Sequence, residues 1–477
     1  MPTSSQKSLD AVKRALGKCV KTDPQSLHRV SMDNARLSFT PDALICPKSN
    51  EQVATVLKLA NRYQVPITTR GAGSATTGAA SPVRGGWVLD LSGWKRMRIE
   101  PIQGLATVDV GVTVEALNVA AEKAGWFYPP DPSSKRYATV GGSIATNAGG
   151  LRGAKYGVTR DYVLGLEGFL PTGSFVKWAG PFKKFASGYN LRDLWIGSEG
   201  TLGVITRAHL KLVPKPEAKW TGLMAFKHER DAIRAAIALM KSRAVPAIME
   251  FMDRQTVACA SERLGRPVFN AVPQACLLLV ELDGDAHAVR KARKHAVTWA
   301  KTYAHQYRET QDLEKAEHLW EVRRTCSQAM FQMGDTKINE DIVVPVRAYE
   351  KLINYTLQLK RETGLATPTF GHIADGNFHV HLMYQRDDPE QLQRAAEGVN
   401  KIMQKVVDLG GAITGEHGIG LSKSPFLRLQ HSAAEIEAMQ AVKHALDPNN
   451  ILNPGKIFEP FEIWQVRPDY DMTFPWH

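Results

Sequence analysis

The stretch RGAGSATTG, residues 70–78, follows PITTR, whose composition and position after Pro66 read as a short strand. Glycines spaced G-x-G after a strand are half of a dinucleotide-binding fingerprint. The Rossmann form also needs a helix to open at the third glycine, so that its first amides meet a pyrophosphate. Here AASPVRGG follows, with Pro82 and no helical periodicity. The stretch therefore reads as a loop and not as the start of a Rossmann helix. Taken alone, it is either an ordinary tight turn or a backbone cradle whose inward N–H groups hold a phosphate.

Two further stretches bear on that choice. VGGSIATNAGG, residues 140–150, is almost entirely small, as a large flat ligand lying against backbone requires. GSEGTLGVI, residues 197–205, again sets a glycine-rich turn before a strand. Three such loops in order point to one extended cofactor site. The intervening chain alternates strands and helices, which indicates an α/β domain. Residues 50–64 place Val53, Val56, Leu57 and Ala60 on one helical face, with Asn50 as the N-cap. ATVDVGV, residues 106–112, has the period of a half-buried strand, and a second helix runs from Thr113 to a left-handed cap at Gly125. From about 140 to 205 the reading is glycine-rich turns between short strands. After a linker, PKPEAK at 214–219, the order is β-α-β-β-α, which suits an antiparallel sheet covered by helices.

A chain of 477 residues holds two to three domains with a substantial core. Hydrophobic content of 43% and charged content of 23% are those of a soluble globular protein. No apolar run is long enough to span a membrane, and the first twenty residues show no secretory signal. Cys19, Cys46, Cys259, Cys276 and Cys326 are far apart and form no disulfide framework or iron–sulfur pattern. A reducing, cytoplasmic setting is expected, peripheral attachment at the inner face of a membrane remaining open. The net charge of +12 fits a solvated basic surface, steering of small anions, an acidic partner or anionic lipid. Basic residues are spread evenly and no nucleic-acid motif is present, so no nucleic acid is expected.

FGHIADGNFHVHLM, residues 370–383, holds three of the chain's 14 histidines. If NFHVHLM is a strand, His379 and His381 share a face, and the ADGN turn lets His372 approach His379. Such a hairpin can supply two imidazoles to one divalent metal. ITGEHGIG, residues 413–420, offers Glu416 and His417 as a carboxylate and a further imidazole. Spacing alone leaves two readings open, metal ligands or buried histidines satisfied by backbone carbonyls.

The ordered set RGAGS, YPPDP, GGSIATNAGG, YG and GSEGTLGVI, with DPNNILNPGKIF at 447–458, resembles the FAD-linked flavoproteins of the vanillyl-alcohol-oxidase type. The resemblance runs from about residue 38 to 458. Within that family it is nearest to the glycolate oxidase catalytic subunit and the D-lactate and D-2-hydroxyglutarate dehydrogenases. It implies an α+β chain: a two-lobed FAD-binding domain plus an α/β substrate, or cap, domain with an antiparallel sheet. The expected segments are a helical extension (1–37), the FAD domain (38–215), the cap (216–410), a return to the FAD domain (411–458) and an aromatic tail (459–477). By the same resemblance Arg70, Gly71, Ala72, Gly73 and Ser74 wrap the pyrophosphate and Gly78 closes that loop. Pro130 and Asp131 lie near the cofactor. Gly141, Gly142, Ala145, Thr146 and Asn147 follow the flavin and ribityl chain. Glu199, Gly200, Gly203 and Ile205 hold the ribityl and adenosine portions, and Asn453 returns to the flavin. Ser74 stands where covalently flavinylated relatives carry histidine, so noncovalent FAD is expected.

The resemblance also assigns His372, His379 and Glu416 as ligands of a divalent metal, zinc or manganese, with His381 behind them or simply packed. The implied reaction oxidises a D-2-hydroxy acid (D-lactate, glycolate or similar) to the 2-oxo acid by hydride transfer to flavin N5. The metal orients the substrate and lowers its hydroxyl pKa. His417 is the expected base, because a neutral imidazole accepts protons near neutral pH. Arg323, with Trp320 and Ser327 at i−3 and i+4 on one predicted helix, is the expected carboxylate clamp, with Arg324 a competitor. Asn377 is an expected substrate contact. Asn339 stands where enzymes of longer diacids tend to have lysine, with Lys337 two residues away. Electrons must leave to a separate acceptor: an Fe–S subunit, an electron-transfer protein or a quinone. Trp464, Tyr470, Phe474 and Trp476 in the tail read either as an arm packed on its own body or as a docking segment for another subunit or copy. The competing functional readings are a metal-independent flavin oxidase of an alcohol or sugar and a noncatalytic FAD subunit of an oxidase complex.

Overall fold

A computed structural model describes residues 4–466, 468 and 469. The chain divides into two compact units, one of residues up to Gly149, Val158–Pro214 and Glu416 onward, the other of Gly150–Gly157 and Lys215–Gly415.

The first unit holds two sheets. In one, Ala43–Ile45, Trp87–Asp90 and Ile67–Arg70 run parallel in that order, and Val20–Lys21 adds an antiparallel edge. The helix Asn50–Tyr63 buries Val53, Val56, Leu57 and Ala60, the face its periodicity marks. Its N-cap is Ser49, whose side chain accepts from the Gln52 amide, so the expected cap at Asn50 is one residue late. A hydroxyl one residue earlier competes for the same orphan amides and wins. Late in the chain, Leu452 bridges in parallel to Ile67, and the Asn453 amide donates to the Ile67 carbonyl at 2.7 Å. The other sheet is antiparallel, ordered Met97–Glu100, Leu105–Asp109, Val204–Lys211, Val163–Phe169, Phe175–Ala179. Against it packs a helix, Val140–Thr146, where turns are expected. Two glycines inside VGGSIAT lower helix propensity. The Thr139 side chain offsets this by accepting from the Gly142 amide at 3.2 Å, and Asn147 closes the helix in the left-handed region.

The second unit is built on a seven-stranded antiparallel sheet. Its order is Gln306–Thr310, Ala218–Phe226, Cys276–Gly284, Ile248–Met252, Thr369–His372, Asn377–Tyr384, Thr336–Val343. One face carries the helices Glu229–Met240, Ala286–Tyr303, Tyr349–Thr363 and Pro389–Asp408. The other packs Leu223, Leu277, Leu279, Met252, Phe370 and Met383 under Arg254–Arg263 and Leu313–Ala329. Coverage on both faces explains why CLLLVEL is apolar without alternation. This is the antiparallel, helix-covered sheet the sequence leads one to expect.

In the tail, Phe461 meets Phe39 edge to face at 5.9 Å, and the Asp469 amide donates to the Arg36 carbonyl at 2.8 Å. That part of the tail packs on its own unit. Trp464 lies in a single 3-10 turn, Ile463–Gln465. Tyr470, Phe474 and Trp476 lie outside the described residues.

Candidate active site: a cofactor cradle and a polar sheet face

The three glycine-rich stretches come together in the first unit. A Cβ on Gly71 would stand 2.3 Å from Thr139 Oγ1, so only glycine lets the first loop approach the cap of the second stretch. The third loop joins the second through Glu199 N–H to Ala145 O (2.8 Å) and Gly197 N–H to Ile144 O (3.0 Å). Asn453 ties the first loop to the third, its amide donating to Ala79 O (2.9 Å) and Glu199 O (2.8 Å). Asn147, Glu199 and Asn453 all sit at positive φ, between 44° and 53°. Such strain in non-glycine residues clusters at functional sites.

The other residues expected around a cofactor are placed as follows. Arg70 is buried, with Nη1 directed to Ala80 O at 3.4 Å, and desolvation lowers its pKa. Ala72, Gly73, Ser74 and Gly78 form the loop beyond it. Pro130 and Asp131 are buried in YPPDP, with Lys135 bridging to Asp131 at 2.7 Å. Gly141 and Gly142 form the first turn of the helix after Thr139, and Thr146 Oγ1 donates back to Gly142 O. Gly200 is a left-handed turn residue, and Ile205 is a buried strand residue. Gly203 has a different reason to be glycine: a Cβ there would strike the Trp195 ring at 2.2 Å. Two buried hydroxyls at this junction, Thr69 Oγ1 and Ser143 Oγ, have no partner among the described residues. A cradle of close-packed backbone with spare donors fits a flavin dinucleotide.

The GEHGIG turn is seated on this cradle. Glu199 accepts from the amides of Ile419 (2.7 Å) and Gly420 (2.8 Å). Burial raises the Glu199 carboxyl to about 7, against the opposing pull of those amides. Glu416 Oε2 lies 2.8 Å from where a Gly149 Cβ would be, so the carboxylate occupies space left by the second glycine stretch. His417 Nε2 is 3.9 Å from Glu416 Oε1, and both side chains are partly exposed.

In the second unit, strand register collects the other chemistry-bearing residues on one sheet face. Asp341 pairs with His379, Asn339 with His381, and Glu250 with His372. The rings of His372 and His379 are perpendicular, with centroids 5.3 Å apart, so the hairpin brings these two together. Glu250 is fully buried: Oε1 accepts from His372 Nδ1, and Oε2 accepts from Arg323 Nε at 2.6 Å. Burial pushes this carboxyl upward, but His372 and Arg323 outweigh it and hold it at about 2. Arg323 also lies over the Phe370 ring at 4.3 Å. Part of the guanidinium expected to clamp a substrate is therefore engaged within the protein. Arg324 points elsewhere, to Glu317. The amide nitrogen of Asn377 donates to Asp341 Oδ1 (2.6 Å) and Ile342 O (3.0 Å), which helps hold Asp341 in place. Asp341 Oδ2 accepts from Thr414 Oγ1 (3.0 Å) and Gly415 N–H (2.9 Å), and Asp341 Oδ1 is 4.0 Å from His379 Nδ1. His381 is bonded to Pro368 O at 3.1 Å, and burial followed by Lys337 depresses its pKa to about 3. Lys337 Nζ donates to Ser327 Oγ at 2.6 Å, and burial lowers it to about 8. Ser327 is thus taken up by Lys337.

Glu250 and Asp341 escaped the sequence reading. Their only local signal is an acid inside an apolar strand, in AIMEFM and in EDIVVPV. Buried carboxylates need partners, and that alone should have marked them.

A loop cradle with no Rossmann helix in one unit and a helix-covered antiparallel sheet in the other are the parts of a two-domain FAD-linked oxidoreductase. Residues 41–179 match the family described as FAD binding domain, and residues 215–457 match FAD linked oxidases, C-terminal domain. The chain belongs to the FAD-linked oxidase family that includes the glycolate oxidase and D-lactate dehydrogenase group. It is 37% identical to glycolate oxidase subunit GlcD of Bacillus subtilis (strain 168) over 422 residues, covering 88% of this chain and 89% of that one. It is 34% identical to D-lactate dehydrogenase of Anaerostipes hadrus over 429 residues, covering 87% and 89%. Among solved structures, p-cresol methylhydroxylase shares the fold at TM-score 0.78 and 18% identity, covering 96% of this chain and 97% of that one. The 4-ethylphenol oxidase of Gulosibacter chungangensis does so at 0.77 and 17%, covering 96% and 98%. No helix of the described residues is long and apolar enough to cross a membrane.

Proposed function

We propose that this chain oxidises a D-2-hydroxy acid, such as D-lactate or glycolate, to the 2-oxo acid, using noncovalent FAD and a divalent cation, zinc or manganese. The observation that carries the proposal is the seat of Glu416 and His417. The turn bearing an acid and an imidazole is bolted to Glu199 and fills the gap at Gly149, within the FAD-binding unit. The two relatives named above are described by such activities, and their likeness spans most of both chains. Ser74, in the place where covalent relatives have histidine, supports noncovalent binding.

The chain's own residues divide the work. His417 takes the substrate hydroxyl proton, and the α-hydrogen leaves with its electron pair, so that a 2-oxo acid remains. Bound FAD supplies the acceptor for that pair. Arg323, held by Glu250 and Phe370, answers the substrate carboxylate through the guanidinium nitrogens beyond Nε. The residues that would hold the cation, as the resemblance assigns them, are His372, His379 and Glu416. The perpendicular pairing of the two histidines on their sheet face supports the first two, and the place of Glu416 on the cradle supports the third. Held there, a divalent cation would supply Lewis acidity that lowers the pKa of the substrate hydroxyl. With no iron–sulfur cysteine pattern in this chain and a relative described as a subunit, the electrons pass to a separate acceptor.

The test is anaerobic. The purified chain is mixed with D- and L-2-hydroxy acids, with and without a chelator, and the flavin absorbance is followed. Bleaching by D acids and its loss on chelation are expected. Bleaching that survives complete removal of metal would overturn the cation's part, and bleaching only by simple alcohols or sugars would overturn the substrate class.

A further inference from the structure

Glu250, like Asp341 on the same polar sheet face, is fully buried, and neither of its oxygens is idle. It sits in mid-strand directly opposite His372 in the antiparallel register, so the backbone ladder itself sets the two side chains side by side. One oxygen takes the Nδ1–H of His372, and the other takes Nε–H of Arg323, which arrives from the helix Leu313–Ala329. Phe370, two residues before His372 on the same face, backs the guanidinium. A carboxylate bound at Nδ1 leaves Nε2 as the lone-pair nitrogen and fixes the ring plane, which is how outer carboxylates orient histidine ligands. The His372 ring is held perpendicular to that of His379.

We propose that Glu250 is a positioning residue: it sets the tautomer and orientation of His372 so that Nε2 is the cation-binding nitrogen, and it simultaneously fixes Arg323. This rests on the cation-dependent reading above. One anion thereby couples the cation-binding histidine to the carboxylate-binding arginine. A neutral amide in its place can accept from only one of the two, and its NH2 group opposes the other.

The test compares wild type with Glu250→Gln, using Zn2+ or Mn2+ alone as the probe. Both proteins are stripped with a chelator and titrated with the cation, while bound flavin per chain and the thermal unfolding curve are recorded separately. Glu250→Gln is expected to weaken cation affinity 10–100-fold and to raise KM for the hydroxy acid, with bound flavin unchanged. As a control, Glu281→Gln removes another buried carboxylate from the same sheet, and it should leave cation affinity as in wild type. Because Glu250→Gln could simply misfold, a second measurement uses wild type only. Nitrogen-15 chemical shifts of the His372 ring, assigned by the peak lost in His372→Gln, should show Nδ1 protonated and Nε2 metal-bound in the Zn2+ form. Coordination through Nδ1, or unaltered cation affinity in a folded Glu250→Gln, would overturn the inference while leaving the cation reading intact. Failure of wild type to bind any cation would overturn both.

Discussion

His381 shows how much rests on the partner of a single side chain. Its period with His379 puts it on the same sheet face, and its ring is bonded to the Pro368 carbonyl and almost fully enclosed. Its pKa is depressed to about 3, so the folded protein holds it neutral where the unfolded chain, near 6.5, would charge it. The unfolded state then binds the extra proton between those values, and stability falls as pH drops from 6.5 toward 3. Each pKa unit is worth about 1.4 kcal/mol, so the loss by pH 4 is on the order of a few kcal/mol. Replacing His381 with Gln keeps an N–H for Pro368 but cannot charge. The gap in apparent melting temperature between variant and wild type should shift in the variant's favour from pH 7 to pH 4. A gap independent of pH would show that His381 is not held neutral. Lys337, two residues from Asn339, has its own anchor: its Nζ donates to Ser327 Oγ at 2.6 Å, and burial lowers its pKa to about 8.

At the scale of elements, the cradle is made by the contact of a loop with a short helix. Val140–Thr146 forms despite two glycines because Thr139 caps it and the antiparallel sheet supports it. The same Thr139 hydroxyl is what a side chain at Gly71 would strike. Gly71→Ala should therefore push the first loop off the cap and cut bound flavin per chain at least tenfold. The melting transition of the second unit, whose core holds no residue of this loop, should be unmoved. Full flavin content in that variant would mean that the two stretches need not touch. The hairpin Thr369–His372 with Asn377–Tyr384 was legible from its alternation and its ADGN turn, and so was the helix bearing Arg323. What the hairpin faces was not legible, because the strand Ile248–Met252 is supplied from more than a hundred residues earlier.

At the scale of the whole molecule, the chain's late segment completes its first sheet. Ile451 and Asn453 bond to Ile67, and Asn453 also joins Ala79 to Glu199. Lys443 reinforces this return, donating to the carbonyls of Thr201 and Leu452 at 2.9 Å each. Ending the chain after Asp447 should thus abolish flavin binding and destabilise the first unit, seen as early proteolysis of its fragments, while the second unit resists. Survival of flavin binding in that shortened chain would remove the closing role assigned to Asn453. From the residues alone came the loop that is not a Rossmann helix, the three glycine-rich stretches, the histidine hairpin and the acid–imidazole turn. Each of these is written in composition or in period over a dozen neighbours, which local backbone physics translates directly. Only the tertiary structure set Glu250 against His372, Asn377 against Asp341 and Glu199 under the GEHGIG turn. Those pairings join residues 36 to 221 positions apart through strand register and loop docking, and no periodicity within one segment encodes the partner of a buried charge in another.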